Sequence, residues 1–334
     1  MKILVTGGAG YIGRTVVSAL EDRGHTPIIL DSFVTGRREF VEGKIFYEGD
    51  IVDRDVLVQI FNDHPDISHC IHFAALIVVP DSVANPYGYY VENVSKSLQL
   101  FKYLNELGCQ NIVFSSSASL YDVVKGFKVT EDAPLKPSSP YARTKYMMEM
   151  VLQDFCAAYD MRGIALRYFN PIGADPLMRS GAHIQFPSHV LAKLLEAANH
   201  KDSIFNITGV EWPTRDGSGI RDYIHVWDLA QAHVLAIENF DKAFSQSKDT
   251  DYLVINLGTG NGVTVKELVS IFEGVLGRTV NKVESDARLG DVAGAFASCE
   301  RANSLIGWEA QLSIEEAIRH ALQWDSIRET ILTY

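Results

Sequence analysis

The chain has 334 residues, room for two folding units of about 150 residues each or for one large α/β sheet with an appended lobe. Hydrophobic residues make up 47% and charged residues 22%, which excludes a disordered chain, a collagen-like repeat and a disulfide-built miniprotein. With 30 Lys+Arg against 42 Asp+Glu the net charge is −12, so neither nucleic acid nor an anionic membrane is an expected partner, and an anionic ligand needs a local binding site.

Met1 leads directly into Lys2-Ile3-Leu4-Val5-Thr6, without the basic, apolar and cleavage regions of a signal peptide. No apolar run approaches the roughly 18 residues of a membrane span. The expectation is a cytoplasmic protein. Cys70, Cys109, Cys156 and Cys299 are scattered, with no C-x-x-C and no Cys/His spacing suited to a metal, so reduced thiols and no metal site are expected.

Short β-branched runs alternate with longer helical patterns over the first half of the chain. Strands are expected at residues 3–6, 26–31, 44–49, 68–74, 110–115 and 163–168, and helices at 11–23, 53–64, 92–107 and 142–159. Such alternation specifies a parallel sheet flanked by helices. The first helix carries Ile12, Val16, Ala19 and Leu20 on one face, and Gly24 follows as its stop. After Tyr168 comes a Gly/Pro-rich exit, Asn170-Pro171-Ile172-Gly173-Ala174-Asp175-Pro176. Residues 227–240 and 252–257 then read as a helix and strand returning to the sheet, and 265–276 and 314–328 as helices of the second lobe. No internal repeat is present.

The first strand runs into Thr6-Gly7-Gly8-Ala9-Gly10-Tyr11-Ile12-Gly13 and then into a helix, the context that turns a glycine pattern into a dinucleotide site. Gly7 permits the tight turn, Gly10 lets backbone N–H groups approach a pyrophosphate, and Gly13 allows close helix packing. The helix N-terminus adds favourable potential for phosphates. Asp31, at the end of the second strand, can accept hydrogen bonds from the adenosine ribose, which favours NAD over NADP. Arg37 and Arg38 lie in a polar turn beyond it and read as solvated. Asp50 and Ile51 stand where the adenine edge is expected.

Tyr141 and Lys145 are four residues apart, on one face of a helix that begins after Pro140. A phenol of ordinary pKa ~10 can serve as an acid/base near neutrality if nearby positive charge favours phenolate, and Lys145 is placed to supply it. The strand before this helix ends in Ser115-Ser116-Ser117. Ser117 can hydrogen-bond a reacting hydroxyl, while Ser115 and Ser116 satisfy the strand end.

With these residues in place the sequence resembles the extended short-chain dehydrogenase/reductase superfamily, and within it the UDP-galactose 4-epimerases. The resemblance rests on the glycine loop, His72-Phe73-Ala74-Ala75, Asn93, Ser115 to Tyr121, the Tyr141–Lys145 run, Arg167-Tyr168-Phe169-Asn170-Pro171, and the long run from Pro213 to Val226. It implies an α/β fold, a doubly wound and mostly parallel Rossmann sheet with a smaller C-terminal α/β lobe. Residues 1–170 and 225–260 would form the NAD-binding domain, and 171–224 and 261–334 the nucleotide-sugar lobe.

It also implies bound NAD, regenerated each turnover, contacted by Tyr11, Ile12, Phe73, Ala74, Ala75, Asn93, Ser115 and Tyr168 besides the residues above. Tyr141 would take the proton of the sugar 4-hydroxyl, with Ser117 steering it and Lys145 holding the nicotinamide ribose. Asn170 would meet the substrate, Arg221 and Arg288 its diphosphate. The bland reading of those two arginines is an ion pair, for instance with Asp222 or Asp291. A homodimer through the helices near 92–107 and 142–159 is implied as well.

Several positions depart from the pattern. Ile77 stands where a basic residue often approaches the phosphates, Asp122 replaces a glycine, and Asn206 and Thr208 occupy a segment where relatives present an aromatic to the base. Ala295, four residues after Asp291, replaces a large aromatic that restricts the sugar pocket in some relatives, so UDP-N-acetylhexosamines are expected to be admitted. A 4-epimerase of a UDP-uronic acid or UDP-pentose shares the same catalytic set. A dehydratase or decarboxylase needs an acid beside Ser117, where Ala118 and Ser119 stand. A non-catalytic NAD-binding regulator has no use for Tyr141, Lys145 and Ser117.

Overall fold

Helices that bury one face each need a sheet to bury it against, and here both faces of one sheet are used. The computed structural model describes residues 1–184, 189–200, 202–247, 250–287 and 292–333. Seven strands, numbered along this central sheet, are β1 (Lys2–Thr6), β2 (Thr26–Asp31), β3 (Phe46–Glu48), β4 (Ile67–His72), β5 (Asn111–Ser117), β6 (Arg162–Tyr168) and β7 (Tyr252–Leu257). Their order is β3-β2-β1-β4-β5-β6-β7, with every neighbouring pair parallel. The order reverses between β1 and β4, and ligands of such sheets bind in the crevice outside the carboxyl ends at that point.

Alternate residues along a strand face opposite sides. Ile3 and Val5 of β1 join a cluster with Val16, Leu20, Leu229 and Ile237 from helices Tyr11–Asp22 and Val226–Glu238. Leu4 joins Leu57, Leu100 and Leu152 from helices Arg54–Asp63, Lys96–Glu106 and Pro140–Ala158 on the other face. The first helix is buried continuously from Gly13 to Leu20 rather than along one stripe, because helix Val226–Glu238 covers the side left open by the sheet.

A third cluster, including Ile172, Leu194, Phe205, Tyr223, Phe272 and Ile318, joins helices Val190–Asn199, Val265–Leu276 and Ile314–Ile331. Two of these helices start with capping boxes, Thr264 with Glu267 and Ser313 with Glu316. The expected helix over 92–107 is interrupted: Val91–Ser95 is a single π-helical turn, followed by α-helix Lys96–Glu106. Among the described residues no helix is long and apolar enough to cross a membrane, no group of His, Cys, Asp or Glu is placed to hold a metal, and all four cysteines are free.

Candidate active site

The turn after β1 is fixed by close backbone approach. Gly7 has φ +71°, and a Cβ there would lie 2.7 Å from the Ala74 nitrogen, which follows β4. A Cβ at Gly13 would collide with the Gly7 carbonyl oxygen. The two strand ends at the switch point therefore touch through glycine. Helix Tyr11–Asp22 begins at Gly10 with no side-chain cap and no acid in its first turn, so its leading N–H groups and positive end face the crevice without a resident carboxylate. Tyr11 is turned away from it, its hydroxyl donating to the Gly173 carbonyl at 2.6 Å, and Ile12 packs under the loop.

Asp31 is buried, and its two oxygens accept from the backbone of Ala9 (2.9 Å) and Phe33 (2.8 Å). Burial raises its pKa while those two bonds pull it down. Each oxygen keeps a lone pair for a further donor. Arg38 is committed to Glu48 and lies 4.6 Å over the Phe33 ring. Arg37 reaches the carbonyls of His183 and Thr333. Asp50 pairs with Lys96 at 2.5 Å and accepts from Val52 N at 3.2 Å, and Ile51 is buried in the core.

The strand end β5 is held residue by residue. Lys145 Nζ donates to the Ser115 carbonyl (2.8 Å) and hydroxyl (3.2 Å). Ser116 donates to Glu149. Ser117 hydrogen-bonds Tyr141, lies 2.9 Å from the Ser119 hydroxyl, and caps the 3-10 turn Ala118–Leu120. Tyr141, Lys145 and Glu149 all come from helix Pro140–Ala158, which starts with Pro at its first position and a Ser139 cap on Ala142 N. In this setting Tyr141 is not lowered: burial raises its pKa, with the Ser117 bond acting the other way. Lys145 is lowered by burial to about 7, against the pull of Glu149. The expected help from Lys145 does not bear on Tyr141 in this arrangement, because the ammonium is turned toward Ser115.

Around Tyr141 the wall is aromatic. Its charge would raise the pKa of both Tyr89 and Tyr168, which places the three phenols close together. Tyr168 bonds His233 Nε2, and His233 Nδ1 donates to the Leu229 carbonyl at 2.8 Å. Burial lowers His233 to about 4, so it is neutral and accepts from Tyr168. The Phe73 ring lies tilted at 46° beside the His233 ring, centroids 5.0 Å apart, while Ala74 packs with the other core face. Ala75 follows in the same loop. His72, also buried, is lowered to about 3, with Thr6 and Ser97 hydroxyls on its two ring nitrogens.

Other expected ligands are engaged within the protein. Asn93 exchanges two bonds with Leu76 (2.8 and 2.9 Å) and donates to Thr144 Oγ1 at 3.1 Å. It joins the loop after β4 to helix Pro140–Ala158. Arg221 does not pair with Asp222: it donates to the carbonyls of Ile220, Ala293 and Val292, whereas Asp222 is buried and accepts from Thr259, Gly260 and Ala297. That ion-pair reading is corrected because backbone N–H groups satisfy the carboxylate. Asn170 sits in the short ladder pairing Asn170–Ile172 with Tyr223–His225. Asn206 and Thr208 lie on strand Phe205–Thr208, distant in sequence, with Asn206 exposed. Ala295 packs against the cluster of Tyr121, Val129 and Phe169. Ile77 is exposed, and Asp122 accepts from Val123 N. Arg288 and Asp291 lie outside the described residues.

Sequence reasoning missed the buried pair of Glu149 with Arg167 (2.9 and 2.7 Å) and the Tyr168–His233 bond. Glu149 stands at the same four-residue interval from Lys145 as Lys145 from Tyr141, a spacing that could have flagged it.

A family model described as "NAD dependent epimerase/dehydratase family" matches residues 3–258. The UDP-glucose 4-epimerase of Bacillus subtilis is 39% identical over 336 aligned positions, covering 98% of this chain and 97% of that one. The crystal structure of a UDP-glucose 4-epimerase from Stenotrophomonas maltophila, with bound NAD and formylated UDP-arabinopyranose, is similar with TM-score 0.92 and 34% identity, over 99% of each chain. A UDP-Glc/GlcNAc 4-epimerase from Campylobacter jejuni is similar with TM-score 0.81 and 30% identity, over 97% of this chain and 99% of that one. By the family match and these near full-length relatives, the chain belongs to the NAD dependent epimerase/dehydratase family.

Proposed function

We propose that the protein is a UDP-glucose 4-epimerase, interconverting UDP-galactose and UDP-glucose through a transient 4-keto sugar with NAD as cofactor. The observation that carries this reading is the convergence of Tyr141, Lys145 and Ser117 on the carboxyl end of β5, two strands from the glycine turn of β1. A regulator that only bound the dinucleotide would need the turn but not this cluster.

The residues fit the cofactor. The Gly7–Gly13 cradle would be filled by a Cβ, the helix N-terminus is uncapped, and Asp31 has free lone pairs for a ribose, with Arg38 already paired to Glu48. Gly7, Gly10, Tyr11, Ile12 and Gly13 would hold the pyrophosphate by backbone, Asp31 the adenosine ribose, Asp50 and Ile51 the adenine edge. Phe73, Ala74, Ala75, Ser115 and Tyr168 would line the remainder, with Asn93 acting through Leu76. When bound, NAD⁺ supplies the two-electron acceptor for C4 and a positive charge that favours phenolate at Tyr141.

Tyr141 then takes the 4-hydroxyl proton and returns it once the keto sugar has presented its other face. Ser117 bridges the phenol and the sugar oxygen. Lys145 would hold the nicotinamide ribose and, once its ammonium leaves Ser115 for the ribose and the phenol, would oppose the burial that keeps Tyr141 protonated. Asn170, Arg221 and Arg288 are assigned to the nucleotide sugar, with Asn206, Thr208 and Asp291 near the base and diphosphate. For Arg221 this requires giving up backbone carbonyls it now holds. The methyl of Ala295 leaves room for a 2-acetamido group, so UDP-N-acetylgalactosamine is a further expected substrate. We also assign the protein to the cytoplasm as a homodimer, with residues 1–170 and 225–260 as the cofactor lobe and the rest as the sugar lobe.

The test is proton NMR of UDP-galactose with purified protein and a trace of NAD. Expected are anomeric signals of UDP-glucose without stoichiometric NADH, and likewise conversion of UDP-N-acetylgalactosamine. Tyr141→Phe should retain NAD binding and lose conversion by at least about a thousandfold, the scale of a lost acid/base. Unaltered turnover in that variant would remove Tyr141 from the chemistry.

A further inference from the structure

Beneath the Ser115–Ser117 strand end lies a charged group that none of the steps above uses. Glu149 is 4% exposed. Its carboxylate accepts from Ser116 and, in a forked pair, from Arg167 Nε and Nη2 of β6. Arg167 Nη1 in turn donates to the Tyr121 hydroxyl (2.9 Å) and the Glu131 carbonyl (3.2 Å), and Tyr121 donates to Asn256 at 2.6 Å. The carboxylate therefore has little freedom to move. A buried ion pair is a weak stabiliser, because desolvation offsets most of its Coulomb gain and apolar residues of equal volume pack as well. Its charge is better explained by what stands one turn away on the same helix, the ammonium of Lys145.

We propose that Glu149 is a positioning residue of the epimerisation: through Ser116 it fixes the end of β5 on which Lys145 is held, and it stands with its charge one helical turn from the Lys145 ammonium. The proposal rests on the reading of Tyr141 and Lys145 given above. Among the described residues Lys145 itself bonds neutral oxygens of Ser115 alone, and it lies 5.0 Å over the Phe114 ring. The groups that act on it or are acted on by it are His72 from β4, neutral by burial, Ser115 from β5, and Glu149 from its own helix. Those facing Glu149 are Arg167 from β6 and Tyr252 from β7, whose phenol is raised by burial and then by Glu149. Glu149 is thus the carboxylate whose field reaches Lys145 and opposes its desolvation. Removing the charge and keeping the shape leaves Lys145 easier to deprotonate.

The variant is Glu149→Gln, read in two ways. In full-length protein labelled with [6-13C]lysine, the Lys145 ε-carbon signal is assigned by its loss in Lys145→Arg and titrated with pH. Its midpoint should move down by on the order of one unit in Glu149→Gln. In the NAD-loaded enzyme, the basic limb of kcat against pH should move down by the same amount with KM for UDP-galactose little changed. Ser116→Ala, which loosens the strand end but keeps the charge, should lower kcat without moving the limb. A folded Glu149→Gln whose Lys145 midpoint stays at the wild-type value overturns the proposal. If that variant fails to fold, Glu149→Asp, which draws the carboxylate back by one methylene, should shift the midpoint in the same direction by less, and an unmoved midpoint is equally fatal. Because the NMR titration needs no turnover, loss of the epimerase reading and loss of the Glu149–Lys145 coupling would be seen separately.

Discussion

At the scale of single residues the glycine turn after β1 is the most constrained feature of the proposed cofactor site. The Gly7 carbonyl that faces Gly13 accepts from the Gly10 amide at 3.2 Å, so it cannot swing away from an added methyl without losing the bond that closes the turn. Gly13→Ala should therefore lower stability by about 1–3 kcal/mol, the usual cost of overpacking, and weaken NAD binding at least tenfold. Gly10→Ala, whose Cβ would stand 3.4 Å from the same oxygen, should cost much less stability. Thermal denaturation and NAD titration of the two variants decide it, and equal losses would show that the close contact is not the cause. The glycines, Asp31 and the Tyr141–Lys145 spacing were legible in the sequence because their geometry is local: a turn, a strand end, one helical interval. The partners of Asn93 and Arg221 were not, since each is held by main-chain groups such as Leu76 O and Ala293 O whose proximity depends on the fold. Carbonyl and amide partners leave no mark on residue identity.

At the scale of elements, helix Val226–Glu238 joins the sheet to the end of the chain through one first-turn acid. Asp228 Oδ2 accepts from Gln311 N (3.0 Å) and Leu312 N (2.8 Å), and its carbonyl accepts from Trp308 Nε1. Burial pushes this carboxyl up to about 6 from an ordinary value near 3.8, in spite of those two bonds, and Glu316 adds to the rise. A carboxyl raised in the folded state binds more protons there than in the unfolded chain over that interval. Its contribution is complete below about pH 4 and is lost as pH climbs through 6. Asp228→Asn keeps an acceptor for the two amides and removes the titration, so the fall in stability between those values should flatten. Denaturant midpoints of both proteins across pH 4–7 measure it, and equal slopes would place the dependence elsewhere. The returning helix and strand were readable as periodicity, and Tyr252–Leu257 does pair with β6. The π turn at Val91–Ser95 was not, since the partners of Asn93 within it, Leu76 and Thr144, are remote in sequence. Helices Val79–Ala84 and Pro86–Tyr90 were hidden by prolines at their first turns, which read as loop.

At the scale of the molecule, the two faces of the sheet hold the two largest apolar clusters and the second lobe a third, and some of the large apolar side chains left exposed stand on helix Pro140–Ala158 and the helices that pack on it. Val83 and Tyr87, 60% and 79% exposed, belong to the two short helices that pack on Pro140–Ala158, and Leu98, Met147 and Met150 are exposed on Lys96–Glu106 and on Pro140–Ala158 itself. Isolated apolar residues at a surface need no explanation, but these five stand on helices that pack on one another, where the assigned homodimer would place its interface. The sequence alone could not separate this face from core, because an exposed and a buried apolar stripe have the same period. Light scattering of the native protein at micromolar concentration should give twice the chain mass, and Leu98→Glu with Met150→Glu should give the single mass by placing buried charge in the interface. Those side chains point away from Glu149 and Met148, which face inward, so the monomer should keep the Tyr141 site folded and bind NAD. A native protein already monomeric would refute the assigned dimer. A monomeric variant with NAD bound but kcat reduced would mean that the partner, by clamping the outer side of helix Pro140–Ala158, helps hold Tyr141 and Lys145 against the strand end.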